Sequence, residues 1–452
     1  MQIHFISLGC DKNLVDSEVM LALLHRGGHT ITPDPAEADA IIINTCSFIE
    51  NATQEAIDTA IEMSAYKTDG SCKALVLTGC MAQRYRDDIL GELPEVDAIV
   101  GTGDFDAIEN VLTRACSGER VSHVTDKRRL DDSDILTQRI ASTPRHYAYL
   151  KIAEGCDNHC TYCTIPAIRG PYASRSVQSL MKEAKALAEA GAREIVLVAQ
   201  DTACYGRDLS DSGVSLASLL RELSSIDGIK WLRILYAYPE NITDELIAEM
   251  ASNRKVLHYI DIPMQHADDG ILRMMCRKSS RAALTQTVEK LRGAMPDICL
   301  RSTFMTGFPG ETQAQFDNMM NFISEIAFDK LGVFEYSQED GTPAAVMTGQ
   351  IPTNVKARRK DMLMSLQQDI SRRKLCSKVG LVLTVIVENI SPDDGRYVGR
   401  TYLDAPGVDG VIIFESARGL MPGDFVSVKI TGSSEYDLEG IAEDPELEPI
   451  QQ

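Results

Sequence analysis

The sequence has no hydrophobic stretch long enough to cross a membrane. No run approaches the roughly 18 consecutive apolar residues that a transmembrane helix needs. Its start, Met1 to Phe5, has neither the basic region nor the cleavage site of a secretory signal. These absences argue against a membrane or exported protein and predict a cytoplasmic location.

Basic residues are also scarce. The chain has 45 Lys and Arg against 66 Asp and Glu, which gives a net charge of −21. Affinity for nucleic acid depends largely on neutralising phosphates, so a chain this acidic is a poor general nucleic-acid binder unless a local basic patch overrides the average. A basic polypeptide is the better-matched partner.

Cysteine, in contrast, is plentiful. Twelve cysteines occur in 452 residues, a length that predicts two to four domains. Disulfides are rare in the cytoplasm. Metal binding or catalysis is therefore the better explanation for cysteines at motif spacings, and burial as small apolar side chains for the others.

Residues 1–125 repeat one pattern, in which an apolar run leads through a short loop into a helical pattern. This alternation predicts an N-terminal α/β domain with a parallel sheet. Helices are expected at 13–26 and from about residues 52, 81 and 105. The predicted strands cover residues 3–8, 40–44, 74–78 and 98–100.

A polar linker with a basic triplet at 127–129 is predicted for residues 126–145, before a second alternating region at 146–375. Six βα units predict a partial (βα)6 TIM-like barrel, with its chemistry at the carboxyl ends of the strands. Helical patterns fall at 180–190, 216–223 and 316–326. The predicted strands cover residues 147–152, 195–198, 232–235, 259–262, 299–303 and 331–336.

The C-terminal region, residues 376–445, changes character. Short β-rich runs at 382–387, 411–414 and 425–430 are separated by Gly, Pro and Asp turns. They predict a small all-β barrel. Residues 446–452 are a predicted tail.

The motif Cys156-Asp-Asn-His-Cys160-Thr-Tyr-Cys163 follows the first strand of the predicted barrel. Three thiolates on one loop can hold three irons of a [4Fe–4S] cluster and leave the fourth open to S-adenosylmethionine. Structural zinc is the alternative, but zinc usually takes four ligands and no matching fourth Cys or His is evident.

A second trio, Cys10, Cys46 and Cys80, is dispersed in sequence, yet each cysteine follows a predicted strand and precedes a helix. Such loops share one edge of a parallel sheet, so the three thiols are expected to converge near helix N-termini that lower their pKa. From the residues alone, buried structural thiols are about equally plausible. The fourth unit offers Gly101 at the corresponding position.

The stretch from Glu154-Gly155-Cys156 through Ile165-Pro166-Ala-Ile168-Arg169-Gly170 resembles the signature of methylthiotransferases in the radical S-adenosylmethionine superfamily. Further similar motifs are Leu8-Gly9-Cys10, Asn44-Thr45-Cys46, Gly79-Cys80, Gln200-Asp201-Thr202, Asp261-Ile-Pro263-Met-Gln265-His266 and Gly307-Phe-Pro-Gly310-Glu311-Thr312.

This resemblance implies two [4Fe–4S] clusters, with Cys156, Cys160 and Cys163 on the first and Cys10, Cys46 and Cys80 on a second that holds sulfur. One S-adenosylmethionine donates a methyl group to that sulfur, and another is cleaved to a radical. No side-chain general base is expected. The remaining cysteines are predicted to be core or surface thiols: Cys72, Cys116, Cys204, Cys276, Cys299 and Cys376.

Contacts to S-adenosylmethionine are predicted from positions after barrel strands and after the cluster loop. An arginine there suits the methionine carboxylate, and glycines permit close approach to the adenine. His266 is as readily a structural histidine as a ligand. The predicted contacts are Ser174, Arg175, Gln200, Asp201, Arg301, Gly307, Gly310 and Glu311.

Two subfamilies differ in substrate, one acting on a tRNA adenosine and the other on the β-carbon of an aspartate in ribosomal protein S-twelve. The C-terminal region resembles a TRAM domain, which generally binds RNA, yet residues 381–452 carry four basic and fourteen acidic residues, 4 − 14 = −10. This charge and the motif from Ile6 to Glu18 favour the basic ribosomal protein over nucleic acid, although Asp11 stands where that subfamily commonly has proline.

The same resemblance implies an external flavodoxin- or ferredoxin-type electron donor and a sulfur donor. Two further alternatives remain open from the sequence, a cluster-binding scaffold without catalysis and a zinc-dependent β-barrel binding module.

Overall fold

The computed structural model describes residues 1–126, 139–210 and 213–443. Most of the predicted linker and its basic triplet, and the tail at 446–452, lie outside these residues. The described chain contains two six-stranded parallel sheets, one small antiparallel ribbon and one closed barrel. No helix in the described ranges is both long and apolar enough to span a lipid bilayer.

The N-terminal sheet is parallel, with the strand order β2-β1-β3-β4-β5-β6. Its central strands are buried at every residue because helices cover both faces, which explains their unbroken apolar sequence. The short edge strands β2 and β6 carry too few residues for a sequence signal. The elements are β1 Gln2–Ser7, α1 Asp11–Arg26, β2 Thr30–Ile31, β3 Ala40–Thr45, α2 Glu50–Ser64, α3 Tyr66–Asp69, β4 Ala74–Gly79, α4 Cys80–Tyr85, α5 Asp87–Glu92, β5 Ala98–Val100, α6 Ile108–Cys116 and β6 Val121–His123.

The central sheet contains all six predicted strands, paired in parallel in the order of the chain, β7-β10-β11-β12-β13-β14. Two short strands, β8 and β9, form a separate antiparallel ribbon. The elements are β7 Tyr147–Lys151, β8 Ala153–Glu154, α7 Ile165–Arg169, β9 Ala173–Ser174, α8 Val177–Glu189, β10 Glu194–Val198, α9 Leu216–Ser224, β11 Trp231–Ile234, α10 Asp244–Ser252, β12 Val256–Gln265, α11 Asp269–Met274, α12 Arg281–Ala294, β13 Cys299–Thr306, α13 Gln313–Ile326, β14 Lys330–Glu335 and α14 Thr353–Cys376.

The C-terminal strands close into the predicted β-barrel, with the strand order β15-β16-β17-β19-β18. Three of these five strands match the predicted β-rich runs, while β16 and β19, only four and five residues long, carry too few residues for a sequence signal. The elements are β15 Val382–Ile390, β16 Tyr397–Arg400, β17 Ile412–Glu415, β18 Phe425–Ser433 and β19 Leu438–Ala442.

The C-terminal barrel packs against the face of the central sheet that its helices leave uncovered. Trp231 meets Phe425 edge-on with ring centroids 4.9 Å apart, inside one apolar cluster shared by both domains. Within this interface Glu194 accepts from Arg233 at 2.6 Å and pairs with Arg400 of the barrel at 2.7 Å. Buried charges need such pairing, so the two domains are joined by apolar and ionic contacts together.

The N-terminal domain covers the carboxyl ends of the central strands. Lys12 of α1 lies 3.3 Å from the ring centroid of Tyr236, just after β11. Arg84 of α4 pairs with Glu339, just after β14, at 2.8 Å. The carboxyl edge of the central sheet, where (βα) folds carry their active sites, therefore faces the N-terminal domain.

Candidate active site

Cys10, Cys46 and Cys80 come together at the carboxyl edge of the N-terminal sheet. Strands β1, β3 and β4 are neighbours in that sheet, so the loops that follow them are neighbours too. The approach is so tight that a Cβ built on Gly9 would lie 2.7 Å from Cys46 Cβ and 3.1 Å from Cys46 Sγ. Only glycine fits there, and its φ of +89° also favours glycine.

Cys46 and Cys80 do not have the lowered pKa that their position before a helix predicts. Burial, reinforced by the charge of Cys80, raises the pKa of Cys46 to about 11. Burial also raises the pKa of Cys80, although Arg169 opposes it. Desolvation of the thiolate thus outweighs the opposing contacts, a backbone hydrogen bond at Phe48 for Cys46 and the guanidinium of Arg169 for Cys80, and a bound metal has to displace protons from these two sulfurs.

Cys156, Cys160 and Cys163 occupy the loop between β8 and α7. Asn158 braces the loop by donating to Cys156 Sγ at 3.5 Å and to Asp201 at 3.3 Å. Burial raises the pKa of Cys156 to about 11 and that of Cys163 to about 12. The hydroxyl of Tyr162, between the last two cysteines, is buried without a hydrogen-bond partner in the described structure.

Two bridges connect the trios. Arg169, six residues after Cys163, donates to Cys80 Sγ at 3.3 Å. The loop after β11 supplies the other bridge, because the Tyr236 hydroxyl donates to Asp11 at 3.0 Å and the Tyr238 hydroxyl lies 3.7 Å from Cys160 Sγ. The two groups of cysteines therefore belong to one interdomain site.

Gln200 and Asp201 lie beside this site and have different surroundings. Gln200 donates through Nε2 to Glu154 at 2.6 Å, while its buried Oε1 has no partner within the described ranges, which leaves an acceptor for a ligand. Asp201 is fully buried and accepts from Asn241 at 2.7 Å and from the Tyr238 amide at 3.2 Å. Asp201 thus organises the loops around the cysteines.

Ser174, the last residue of β9, and Arg175, which follows it, are both buried. Ser174 Oγ accepts from the Gly206 amide at 3.0 Å. The Arg175 guanidinium pairs with Glu183 at 2.5 Å and donates to Ser179 at 2.8 Å. Pairing with a methionine carboxylate, as predicted, would require this guanidinium to leave Glu183.

Arg301 is placed between domains, because it pairs with Asp261 at 2.9 Å and approaches Asp409 of the C-terminal barrel at 3.5 Å. Glu311 is buried, pairs with Arg359 at 2.6 Å and accepts from the Gly307 amide at 2.8 Å. The Gly310 amide donates to the Gly349 carbonyl at 2.8 Å. The contacts of Gly307, Gly310 and Glu311 shape the turn after β13, whereas Arg301 lies on β13 itself. That Arg301, Gly307, Gly310 and Glu311 contact S-adenosylmethionine stays a prediction.

His266 is fully buried, and its Nδ1 accepts from the Asp268 amide at 2.9 Å. Its Nε2 lies 3.7 Å from Glu311. Nδ1 is therefore satisfied by the protein, while Nε2 is buried without a hydrogen-bond partner among the described residues.

Among the other six cysteines, Cys72 and Cys299 are buried and Cys276 and Cys376 are exposed. Cys204 stands apart, because it donates to Asp201 at 3.2 Å and accepts from Asn241 at 3.0 Å, next to the cluster loop. Sequence reasoning assigned no role to Arg169, Tyr236 or Tyr238. The signal available was position, since Arg169 lies six residues after Cys163, in the stretch from Glu154 to Gly170 that carries the family resemblance, and the tyrosines follow a barrel strand.

The donor set fits iron–sulfur clusters better than zinc. In the described part of the chain, no three His, Cys, Asp or Glu side chains converge closely enough to hold a single ion. A [4Fe–4S] cluster binds each cysteine to a different iron, so its sulfurs need not meet at one point. Each trio offers three thiols on buried loops, which leaves one iron without a cysteine ligand.

Three family models match successive parts of the chain. They are the uncharacterized protein family UPF0004 at residues 2–101, the radical SAM superfamily at 150–323 and the TRAM domain at 379–442.

Two proteins, each named ribosomal protein uS12 methylthiotransferase RimO, match over nearly their whole length. The protein of Lachnoclostridium phytofermentans is 50% identical over 443 residues, covering 98% of this chain and 100% of that protein. The protein of Symbiobacterium thermophilum is 47% identical over 448 residues, covering 98% and 92%.

Among solved structures, the radical S-adenosylmethionine methyltransferase TsrM from Kitasatospora setae superposes with a TM-score of 0.57 at 12% identity, covering 76% of this chain and 77% of that one. The cobalamin-dependent radical enzyme OxsB has a TM-score of 0.50 at 12% identity, covering 82% and 56%. Both show similarity of fold.

Proposed function

This chain belongs to the RimO family of ribosomal protein uS12 methylthiotransferases, and from that premise we propose that it attaches a methylthio group to the β-carbon of an aspartate in ribosomal protein uS12. Full-length relatives of this name favour that substrate over the tRNA alternative. We place the reaction in the cytoplasm, with a flavodoxin- or ferredoxin-type protein as electron donor and a separate sulfur donor.

The observation that carries the proposal is the junction of the two cysteine trios at one interdomain surface. Cys156, Cys160 and Cys163 would hold one [4Fe–4S] cluster, and Cys10, Cys46 and Cys80 the other. With S-adenosylmethionine bound, these groups supply a methyl donor, one-electron reduction of a sulfonium, and sulfur for transfer. A reaction that joins a methylated sulfur to a carbon radical needs the sulfur source and the radical source close together. Arg169 and the Tyr236–Tyr238 loop connect the two cysteine trios that would hold them.

The chain's own residues then bind and orient S-adenosylmethionine and the cysteine loop, and they exclude water from the site. The free acceptor of Gln200 suits an amino or hydroxyl donor of S-adenosylmethionine, and Asp201 keeps the cysteine loop in place through Asn158. The N-terminal domain covers the strand ends and shields them from bulk water, which protects a reactive carbon centre from side reactions.

The substrate assignment also draws on charge. On the described part of the C-terminal barrel the exposed basic residues are Arg418 and Lys429. Its exposed acidic residues are Asp393, Asp394, Glu415, Asp424, Glu439 and Glu443. An acidic surface repels the phosphates of RNA and attracts a basic polypeptide.

The test is an anaerobic reconstitution with iron and sulfide, followed by incubation with S-adenosylmethionine and dithionite. Parallel reactions contain uS12, uS12 with its target aspartate replaced by asparagine, or an anticodon stem-loop RNA. We expect a gain of about 46 Da, CH3S replacing H, on unmodified uS12 alone. Modification of the RNA alone would overturn the substrate assignment, and formation of 5′-deoxyadenosine with neither substrate changed would leave only the radical chemistry.

A further inference from the structure

Arg169 is the last residue of α7, the helix that follows the cluster loop, yet its guanidinium lies in the interface with the N-terminal domain. Nη2 donates to Cys80 Sγ at 3.3 Å and to Asn13 Oδ1 at 3.0 Å. Nη1 donates to Asp16 at 2.7 Å and to Glu154 at 3.1 Å. The residue is 3% exposed, so these contacts are made away from water.

The charges around Arg169 balance without the cysteine. Lys151 contacts the same two carboxylates, those of Asp16 and Glu154, so two buried cations face two buried anions. Ion pairing alone therefore gives no reason for a guanidinium N–H to be directed at sulfur. The planar guanidinium of arginine has enough N–H groups to pair with both carboxylates and also donate to the sulfur. The ammonium of a lysine at this position would keep the charge but not this arrangement of donors.

We propose that Arg169 is a positioning residue for the cluster on Cys10, Cys46 and Cys80, where it raises the reduction potential through its hydrogen bond to Cys80. This inference rests on the proposed function. A donor to a ligating sulfur and a nearby positive charge both stabilise the more negative, reduced form of a cluster. Because α7 continues from the loop of the other trio, the same residue fixes Cys80 relative to Cys156, Cys160 and Cys163.

The experiment isolates the auxiliary cluster in the full-length chain by replacing Cys156, Cys160 and Cys163 with alanine. After anaerobic reconstitution, iron content is measured and the midpoint potential is determined by a redox titration followed by electron paramagnetic resonance. Arg169→Lys should lower the one-electron reduction constant about tenfold, equivalent to 59 mV, with iron content retained.

Two controls separate this effect from a general loosening of the interface. Arg233→Lys makes the same substitution at a buried arginine that pairs with Glu194 of the central sheet and donates to the Tyr402 carbonyl of the C-terminal barrel, and it should leave the potential unchanged. In the reciprocal background, with Cys10, Cys46 and Cys80 replaced by alanine, Arg169→Lys should not shift the potential of the remaining cluster.

Each result is decisive. An unchanged potential at full iron content, or equal shifts in both backgrounds, overturns the role of Arg169. If the first background binds no iron–sulfur cluster even with Arg169 intact, the proposed function fails instead. If Arg169→Lys does not fold, the redox titration is replaced by hyperfine spectroscopy of the protein that keeps Arg169. That protein carries the alanine replacements at Cys156, Cys160 and Cys163 and is labelled with ¹⁵N-arginine. A guanidinium coupling supports the hydrogen bond to Cys80, and its absence overturns it.

Discussion

One trio of cysteines occupies eight residues of a single loop, from Cys156 to Cys163, whereas Cys10, Cys46 and Cys80 follow three different strands. The first site depends on local loop geometry and on braces such as Asn158. The second exists only when β1, β3 and β4 lie side by side in register. A local site is therefore visible in the spacing of its residues, while a dispersed one requires the fold.

The largest effect on activity is expected when a single cysteine is removed, and the two trios should then lose different activities. We expect Cys160→Ala to abolish formation of 5′-deoxyadenosine and methylthiolation together, since this trio is assigned to S-adenosylmethionine cleavage. Cys46→Ala should abolish methylthiolation but leave 5′-deoxyadenosine formation measurable by chromatography. Loss of cleavage in Cys46→Ala with full iron on the other trio would contradict the division of labour.

A substitution beside a cysteine should affect the dispersed site selectively. In Gly9→Ala the new Cβ meets Cys46 at 2.7 Å, so the loop has to shift and the N-terminal cluster should be lost, reducing iron by about half. Gly28→Ala is the matched control, because Gly28 has a φ of +80° and nothing within 4 Å of its Cβ position. It shares the backbone penalty of about 1 kcal/mol without the clash. Equal iron loss in both variants would show that strain, not the close approach to Cys46, is responsible.

The smallest expected effect is a pH dependence of the metal-free protein. The folded state keeps buried thiols protonated, with the pKa of Cys46 raised to about 11 and that of Cys163 to about 12. Because the pKa of an unfolded cysteine is about 8.5, this stabilisation is complete below that pH and is lost as pH rises toward the folded values. We expect the free energy of unfolding of the apo-protein to fall above about pH 9, by on the order of 2 kcal/mol per thiol, and its Tm to fall with it.

The cluster-loaded protein supplies the control for this pH series, because its cysteines are already bound as thiolates. Its melting temperature should change less than that of the apo-protein between pH 7 and 10 when both are measured anaerobically by calorimetry. Parallel curves for the two forms would show that these thiols do not govern the alkaline instability.

Much of the fold could be predicted from the sequence because its strands are buried on both faces and read as continuous apolar runs. The six central strands and the closed C-terminal barrel are confirmed. Edge strands such as β2 and β6 are too short to show a recognisable pattern of apolar residues in the sequence. Helices α10 and α12 and the long helix α14 were not identified.

The pKa of Cys46 shows what sequence position alone leaves out. The place of a cysteine between a strand and a helix can be read from the chain, but the depth of burial that raises the pKa of Cys46 depends on packing. Likewise, nothing in the sequence indicates that Arg169 turns away from its own cluster loop toward Cys80, or that Arg175 is already paired with Glu183. Such partners come from other domains or layers and are set by tertiary structure.

The C-terminal barrel, seated on the uncovered face of the central sheet, has a consequence for biosynthesis. The six central strands are arranged in chain order, so each βα unit can join its predecessor as it leaves the ribosome. Yet the apolar face that includes Trp231 and Tyr259 stays bare until residues 382–442 have been made. A nascent chain that stops before this point exposes this apolar face to water, and the C-terminal strands cover it only once they have been made.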